Sequence, residues 1–233
     1  MQALEYLLSI QLAKIGLSEW NVVNNVSGAF GAFRRSFLQK IGGWDTHTAE
    51  DLDITLRIKN YFGRRPLRIP FEPRAIGHTD APVTFRQFLM QRLRWDGDLF
   101  FLYVRKHRHS FTPRLLGWPN FLVVLVSGFF FQLVLPFIIL GYFIVGLYSL
   151  TLSTFLVLAW LVYLVYLANT LLAYVVAVCM VSERPRQDLW LCWVVPLFPL
   201  FMFVMRCWSA VAILNEMIRR GHEETSMAPW WVL

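Results

Sequence analysis

Hydrophobic and charged positions divide the chain into two unlike parts. Residues 115–182 form a run of 68 consecutive positions without a charged side chain, dominated by Leu, Val, Phe, Ile and Tyr. A helix that crosses a membrane needs only about 20 such residues. The whole formal net charge of +7 falls on residues 1–114. We therefore predict two domains, with residues 1–114 outside the lipid and residues 115–233 forming a membrane region.

The uncharged run divides into two stretches, Leu116–Leu147 and Thr151–Val181. Each exceeds the thickness of a bilayer at the rise of about 1.5 Å per residue of a helix. The turn between them has no charge, whereas the loop that follows carries Arg184 and Arg186. Because basic loops stay in the cytoplasm, an in-out-in path with two tilted or projecting spans fits best. A break at Pro136 into three shorter spans is the alternative.

A later apolar stretch, Leu189–Leu214, allows several structures. Pro196 and Pro199 interrupt it, and Arg206 lies inside it. A charge at the centre of a bilayer is costly, so the stretch fits a broken third span, a re-entrant segment or an interfacial helix. The membrane region is therefore predicted to contain two or three transmembrane helices.

Residues 1–114 combine helical and strand-like patterns. Apolar side chains near the N-terminus recur at helical spacing, which predicts an amphipathic helix. We further expect a strand within residues 25–33, a helix over 35–41, a helix that starts at Glu50 and stops at Gly63, and a buried strand at Pro66–Phe71. A mixture of this kind is typical of an α/β domain.

The acidic pair Glu50 and Asp51 lies at the predicted start of a helix. Backbone N–H groups and the helix dipole keep a carboxylate ionised there. Acidic residues favour first turns generally, so a simple capping role is one interpretation. The other is a general base, which needs a fixed carboxylate facing a cleft.

A second helix is predicted from Thr84, which with Gln87 makes a candidate capping box. Gln91, Arg94 and Trp95 fall on one face of it. A guanidinium beside an amide suits phosphate oxygens, and an indole can stack on a sugar ring. A helix face in contact with solvent or lipid headgroups is the alternative. Arg92 lies off this face and suits a membrane anchor, and Gly97 is expected to break the helix.

Two short motifs have the residue types of metal sites but predict none. The triplet Asp96-Gly97-Asp98 fits a solvated helix surface better than a metal site, and His78 with Asp80 fits a loop with local hydrogen bonds. We assign no metal ligand in the chain.

Four landmarks follow one another in an order that resembles the processive, membrane-integrated family 2 glycosyltransferases, which include synthases of cellulose, hyaluronan and poly-N-acetylglucosamine. They are SGAFGAFRR at 27–35, the Glu-Asp pair at 50–51, Gln-x-x-Arg-Trp at 91–95, and the apolar stretches that follow. The resemblance implies a partial GT-A-like α/β domain in residues 1–114 followed by an all-α transmembrane region.

The resemblance also implies a role for each matched residue. Asp51 would be the catalytic base, with Glu50 as its supporting neighbour. Gln91 and Arg94 would bind the donor or its departing diphosphate. The acceptor sugar would contact three residues, namely Trp95, Ser27 and Gly28. The implied reaction is an inverting transfer of a sugar from a nucleotide-sugar donor to a growing polysaccharide.

The same resemblance implies the partners and the location. We expect a UDP-sugar donor, a polysaccharide or glycolipid acceptor, the lipid bilayer and no nucleic acid. A divalent cation, Mg²⁺ or Mn²⁺, is implied by the family, although ligands for it are mostly absent from this chain. The protein is expected in a bacterial inner or plasma membrane, with residues 1–114 in the cytoplasm.

Two departures from the family argue against a complete enzyme. Ala49 stands where many processive members have Thr, and the family's nucleotide-binding first half has no counterpart here. We expect a fragment that is incomplete alone, or a chain that works with a separate polypeptide carrying that half. A non-enzymatic membrane subunit or assembly partner of a synthase, and non-processive transfer to a lipid acceptor, are the alternatives.

Overall fold

The computed structural model describes residues 1–46, 48–77 and 79–220, and these residues form helices and loops without a strand. The helices are α1 (Gln2–Tyr6, Leu7–Leu12 and Ala13–Glu19, continuous), α2 (Arg35–Lys40), α3 (Glu50–Lys59), α4 (Phe85–Phe100 continuing as Phe101–Lys106), α5 (Pro113–Leu116), α6 (Trp118–Ser149), α7 (Leu152–Val181), α8 (Pro185–Asp188) and α9 (Phe198–Arg219), with short 3-10 turns at Gly28–Phe30, Leu189–Trp193 and Val195–Leu197.

The predicted N-terminal amphipathic helix is present as α1. Its apolar face packs on the end of α7 and the start of α9, where Leu4 and Leu7 contact Tyr174, Ala177 and Phe198. Because these partners are separated from α1 by most of the chain, α1 fastens the N-terminus to the ends of two apolar helices.

Helix α3 lies at the junction of two hydrophobic clusters. Leu52 and Leu56 pack with residues of α4, α6 and α9, including Tyr103 and Ile213. Ile54 and Ile58 pack on the opposite side with a cluster that includes Val23, Ile41 and Ile69. This ten-residue helix is therefore fixed from both sides, and its first turn carries the Glu50–Asp51 pair.

The two predicted strands are wrong. In the segment predicted as a buried strand, the Ile69 N–H donates to Asn21 Oδ1 at 3.0 Å and the Phe71 N–H donates to Ser18 Oγ at 2.7 Å. Within residues 25–33, the Val26 N–H donates to Thr55 Oγ1 at 3.0 Å. Side chains occupy the backbone groups that a neighbouring strand would use, so extended backbone forms here without a sheet.

Among the described residues, three helices are long and apolar enough to cross a membrane, namely Trp118–Ser149, Leu152–Val181 and Val195–Arg219. The first two match the predicted spans. Pro136 does not divide the first of them, because it lies in the opening turn of an α-helical segment that follows a π-helical stretch. Its missing N–H therefore breaks no regular ladder.

The apolar stretch Leu189–Leu214, for which several structures were considered, forms two 3-10 turns and then enters α9. Pro199 lies in the first turn of that helix. Arg206 does not lie alone among apolar side chains. Its Nη1 donates to the carbonyl of Phe131 at 3.0 Å and to Gln132 Oε1 at 2.9 Å on α6. Helix α6 thus supplies polar partners for this partly buried guanidinium.

Candidate active site

The Asp51 carboxylate is held by the loop that precedes α2. Its Oδ2 accepts hydrogen bonds from Asn25 Nδ2 at 3.1 Å and from the Gly28 N–H at 3.2 Å. Its Oδ1 accepts from the N–H of Leu52 at 2.7 Å. Three donors from two segments of the chain fix the orientation of a carboxylate that stays partly exposed, as a general base requires.

Gly28 allows the loop to lie directly against the acidic pair. A Cβ at this position would lie 3.1 Å from Glu50 Oε1 and 3.2 Å from the Cβ of Asp51. The predicted acceptor residues Ser27 and Gly28 and the predicted catalytic pair are therefore neighbours, although 22 or more positions separate them in the sequence.

The residue before the pair, Ala49, has the left-handed backbone conformation, with φ of 48° and ψ of 40°, and no side chain caps the helix there. The residue at the cap position of α3 is therefore Ala49, which has no polar side chain to cap the helix. Both carboxylates belong to the first turn of α3, where the free N–H groups of the helix favour negative charge.

Lys14 belongs to this site and was not identified from the sequence. Its Nζ donates to Ser27 Oγ at 2.8 Å. Burial lowers the pKa of the Lys14 ammonium, and the nearby Asp51 carboxylate opposes that shift. In the sequence, Lys14 is only one polar residue of a predicted amphipathic helix. That pattern does not indicate which residue its side chain contacts.

The predicted capping box of the second helix is confirmed. The Gln87 N–H donates to Thr84 Oγ1 at 3.2 Å, and Gln87 Oε1 accepts from the Thr84 N–H at the same distance. Helix α4 then runs past Gly97, where a break was expected, and Gly97 is buried next to the Glu216 side chain of α9. A Cβ at Gly97 would lie 3.5 Å from the Cβ of Glu216, an ordinary contact distance, so α4 and α9 pack closely at this point.

The Gln91, Arg94 and Trp95 side chains are all partly accessible on α4. Gln91 Oε1 accepts a hydrogen bond from Gln2 Nε2 of α1 at 3.2 Å. The Trp95 side chain is 38% exposed, the most accessible of the three. All three residues keep surface available for a ligand, and α1 holds Gln91 by this hydrogen bond.

Asp98 links the two motifs. It is buried next to Arg94 on α4, bonds to the Thr48 side chain just before α3, and interacts electrostatically with Glu50. Burial raises the pKa of the Asp98 carboxyl to about 7, and Thr48 and Arg94 oppose the rise. The prediction that the Asp96–Asp98 triplet is a solvated surface is wrong, because Asp96 also turns inward and accepts a hydrogen bond from Ser209 Oγ at 2.7 Å.

A divalent cation does not fit the described residues. Asp96 bonds to Ser209 of α9, Asp98 bonds to Thr48 in the segment before α3, and both oxygens of Asp51 accept from N–H donors. No group of three or more His, Cys, Asp or Glu side chains in the described part of the chain could hold a metal ion. Of the pair His78 and Asp80, His78 lies outside the described residues.

The family described as glycosyl transferase family group 2 matches residues 19–219. The chain belongs to that family. Family 2 members are glycosyltransferase enzymes, and this agrees with the resemblance drawn from the ordered motifs. The match covers the loop around Ser27, the acidic pair, the Gln-x-x-Arg-Trp helix and all three long apolar helices, so the site and the membrane region belong to one family unit.

Curated relatives of this family 2 glycosyltransferase align with part of the chain. The probable glycosyltransferase YdaM of Bacillus subtilis (strain 168) is 35% identical over 85 residues, which are 36% of this chain and 19% of YdaM. The poly-beta-1,6-N-acetyl-D-glucosamine synthases of Staphylococcus epidermidis and of Staphylococcus aureus (strain COL) are each 31% identical over 96 residues, 41% of this chain and 22% of theirs. The chain thus spans about a fifth of the length of these relatives. No solved structure matches it.

Proposed function

We propose that this chain forms the acceptor-side and membrane portion of an inverting glycosyltransferase that extends a polysaccharide with sugar from a nucleotide-sugar donor. The observation that carries the proposal is the fixed Asp51 carboxylate, held by Asn25 and the Gly28 N–H beside Ser27. A sugar hydroxyl lying on the Ser27–Gly28 turn would meet this carboxylate.

The proposed step is a single displacement. Asp51 takes the proton of the acceptor hydroxyl while the hydroxyl oxygen forms a bond to the anomeric carbon of the donor sugar. The bond from that carbon to the diphosphate oxygen breaks, and the nucleoside diphosphate leaves with the electron pair. Attack opposite the leaving group inverts the configuration of the anomeric carbon.

The leaving diphosphate needs positive charge and hydrogen-bond donors. Arg94 can bind phosphate oxygens through its planar guanidinium, and the amide nitrogen of Gln91 can donate a further hydrogen bond. Trp95 would stack on the acceptor sugar, since its indole is the most exposed part of this helix face. We assign no step to a cation.

We further propose that residues 1–114 lie on the cytoplasmic face and belong to the later part of a GT-A-like domain. A UDP-sugar is the proposed donor. Two relatives are named as synthases of poly-beta-1,6-N-acetyl-D-glucosamine, which supports a polysaccharide as the product. Because the chain spans about a fifth of those relatives, the activity is proposed for the complete synthase that contains it.

The test is sugar transfer by the complete synthase in membrane vesicles. We expect Asp51→Asn to lower the rate by roughly 100-fold or more, since a positioned general base contributes about that much. Arg94→Ala should slow transfer by raising the barrier to departure of the diphosphate. Measuring both the polymer length and the released nucleotide separates processive extension from transfer to a lipid.

Two exposed residues provide matched controls. Glu19→Gln removes an exposed carboxylate of α1, and Arg86→Ala removes an exposed guanidinium of α4, five residues before Gln91. Both should keep normal rates. Full activity of Asp51→Asn would rule out the proposed base, and full activity of Arg94→Ala would rule out the proposed diphosphate contact.

A further inference from the structure

Arg92 was expected to anchor the chain to the membrane, but the structure gives it other partners. Its Nη2 lies 2.6 Å from Glu5 Oε2, and each of the two side chains is only 15% exposed. An arginine that binds lipid headgroups would extend its guanidinium towards water. The Arg92 guanidinium instead turns back against α1, so it has a partner within the protein.

The same guanidinium lies against two aromatic rings of its own helix. Its Cζ is 4.6 Å from the centre of the Trp95 ring and 4.9 Å from the centre of the Phe88 ring. Phe88 is buried, whereas Trp95 is partly exposed. Arg92 thus connects the fixed ring of Phe88 to the indole of Trp95, and cation–π attraction favours this arrangement.

Glu5 holds Arg92 from a different helix. Next to this ion pair, Gln2 of α1 donates to Gln91, so α1 contacts two successive residues of the Gln-x-x-Arg-Trp motif. The neighbouring charged groups have partners elsewhere, since Asp96 bonds to Ser209 and Arg206 bonds to Gln132. The buried Leu4 and Leu7 keep α1 in place beneath this contact.

We infer that Glu5 and Arg92 are positioning residues that set the orientation of the Trp95 indole for stacking on the acceptor sugar. The inference rests on the proposed function, because it takes Trp95 to be an acceptor contact. Stacking on a carbohydrate needs a fixed ring plane. Without Arg92 behind it, a partly exposed indole would sample several rotamers, and the acceptor would have to select one of them.

The consequence is a selective effect on the acceptor. Arg92→Lys keeps the positive charge and can still pair with Glu5, but it lacks the planar group that lies along the indole. Glu5→Gln keeps the size of the side chain and removes the ion pair. Both changes leave Arg94 and Asp51 intact, so the diphosphate contact and the base should work normally.

The experiment measures transfer by the complete synthase to an added oligosaccharide acceptor, with acceptor and donor varied separately. We expect Arg92→Lys and Glu5→Gln each to raise the acceptor KM by roughly 3- to 30-fold, the range of a cation–π contact. The donor KM and the kcat at saturating acceptor should change less than about twofold, because Arg94 and Asp51 are unaltered. Arg86→Lys and Glu19→Gln serve as the matched controls.

Trp95→Ala distinguishes a failure of this inference from a failure of the proposed function. Trp95→Ala should raise the acceptor KM, and adding Glu5→Gln to it should have no further effect. If Trp95→Ala raises the acceptor KM but Arg92→Lys and Glu5→Gln do not, the inference is wrong and the proposed function stands. If Trp95→Ala leaves the acceptor KM unchanged, the acceptor role of Trp95 fails and the inference fails with it. Equal changes in both KM values and in kcat would show a general structural role and also overturn the inference.

Discussion

Helices α3 and α7 show how differently the two parts of this chain are specified. Seven of the ten residues of α3 are buried, among them Asp53, Thr55 and Lys59. In the most apolar window of α7, only 17% of the residues are buried within the protein. A short helix with packing partners on all sides is held in one position by those contacts. A long helix with apolar side chains all round is specified mainly by its length and hydropathy.

The polar contacts follow the same division. The Asp53 Oδ1 atom lies 2.7 Å from His107 Nε2 and 2.9 Å from Lys106 Nζ, at the end of α4. Arg57 reaches from α3 to the carbonyls of Ile41 and Gly43 in the preceding loop. These bonds fix α3 relative to α4, and therefore Asp51 relative to the Gln-x-x-Arg-Trp face.

The largest expected effect is at Asp53. Asp53→Ala leaves Lys106 and His107 without their buried partner, and we expect a loss of about 3–5 kcal/mol in the free energy of unfolding. Asp45→Asn is the matched control, because Asp45 is 70% exposed and lies 3.6 Å from the same lysine. It should cost less than about 1 kcal/mol. Thermal unfolding in detergent measures both, and equal losses would contradict the conclusion that the buried contacts of Asp53 fix α3 relative to α4.

A smaller effect is expected on α6, where two glycines lie in different surroundings. A Cβ on Gly128 would overlap the buried ring of Tyr103, whereas a Cβ on Gly141 has nothing within 4 Å. Gly128→Ala should therefore destabilise the protein by about 1–3 kcal/mol through overpacking. Gly141→Ala should be neutral or slightly stabilising, since Ala favours helices. If the unfolding curves of the two variants coincided, the predicted difference between the Gly128 and Gly141 positions would be wrong.

A pH dependence is expected at Lys59, the last residue of α3, and over a single pH unit it is the smallest of these effects. Burial lowers the pKa of the Lys59 ammonium from 10.5 to about 7, and its Nζ donates a long hydrogen bond of 3.5 Å to the Val22 carbonyl. Above pH 7 the unfolded chain binds the proton more readily than the folded protein, so this residue makes stability rise with pH between about 7 and 10.5. The contribution is about 1 kcal/mol per pH unit.

Lys59→Met removes this titration. Its unfolding free energy should rise less than that of the natural protein between pH 7.5 and 8.5, and it should exceed the natural value most at the lower pH. A parallel pair of pH profiles would mean that Lys59 has an unperturbed pKa in the folded protein.

Local features of the fold were predictable from the sequence, and distant ones were not. The capping box of Thr84 and Gln87 needs only four successive residues, and the start of α3 needs only its first turn. The burial of Gly97 involves Glu216 of α9, and the inward position of Asp96 involves Ser209 of the same helix. Neither partner has a sequence signal that points back to α4.

The same reasoning applies to the site. The ordered motifs were sufficient to group Ser27, Gly28, Glu50 and Asp51, because a family resemblance carries information about distant contacts. Lys14 was missed and Arg92 was assigned to the lipid, because their partners lie on other segments and composition does not reveal a partner. The strand at Pro66–Phe71 failed for a related reason, since side chains of α1 and its following turn took the backbone donors.

The cluster beneath Asp51 also has a consequence for the order of biosynthesis. Leu52 and Leu56 pack against residues of α6 and against Ile213 of α9. A ribosome that has completed α3 must still make all three long apolar helices before these contacts can form. Synthesis of the three long apolar helices therefore precedes the final packing of the Asp51 helix, and a nascent chain arrested before α9 holds its carboxylate on a helix without its full core.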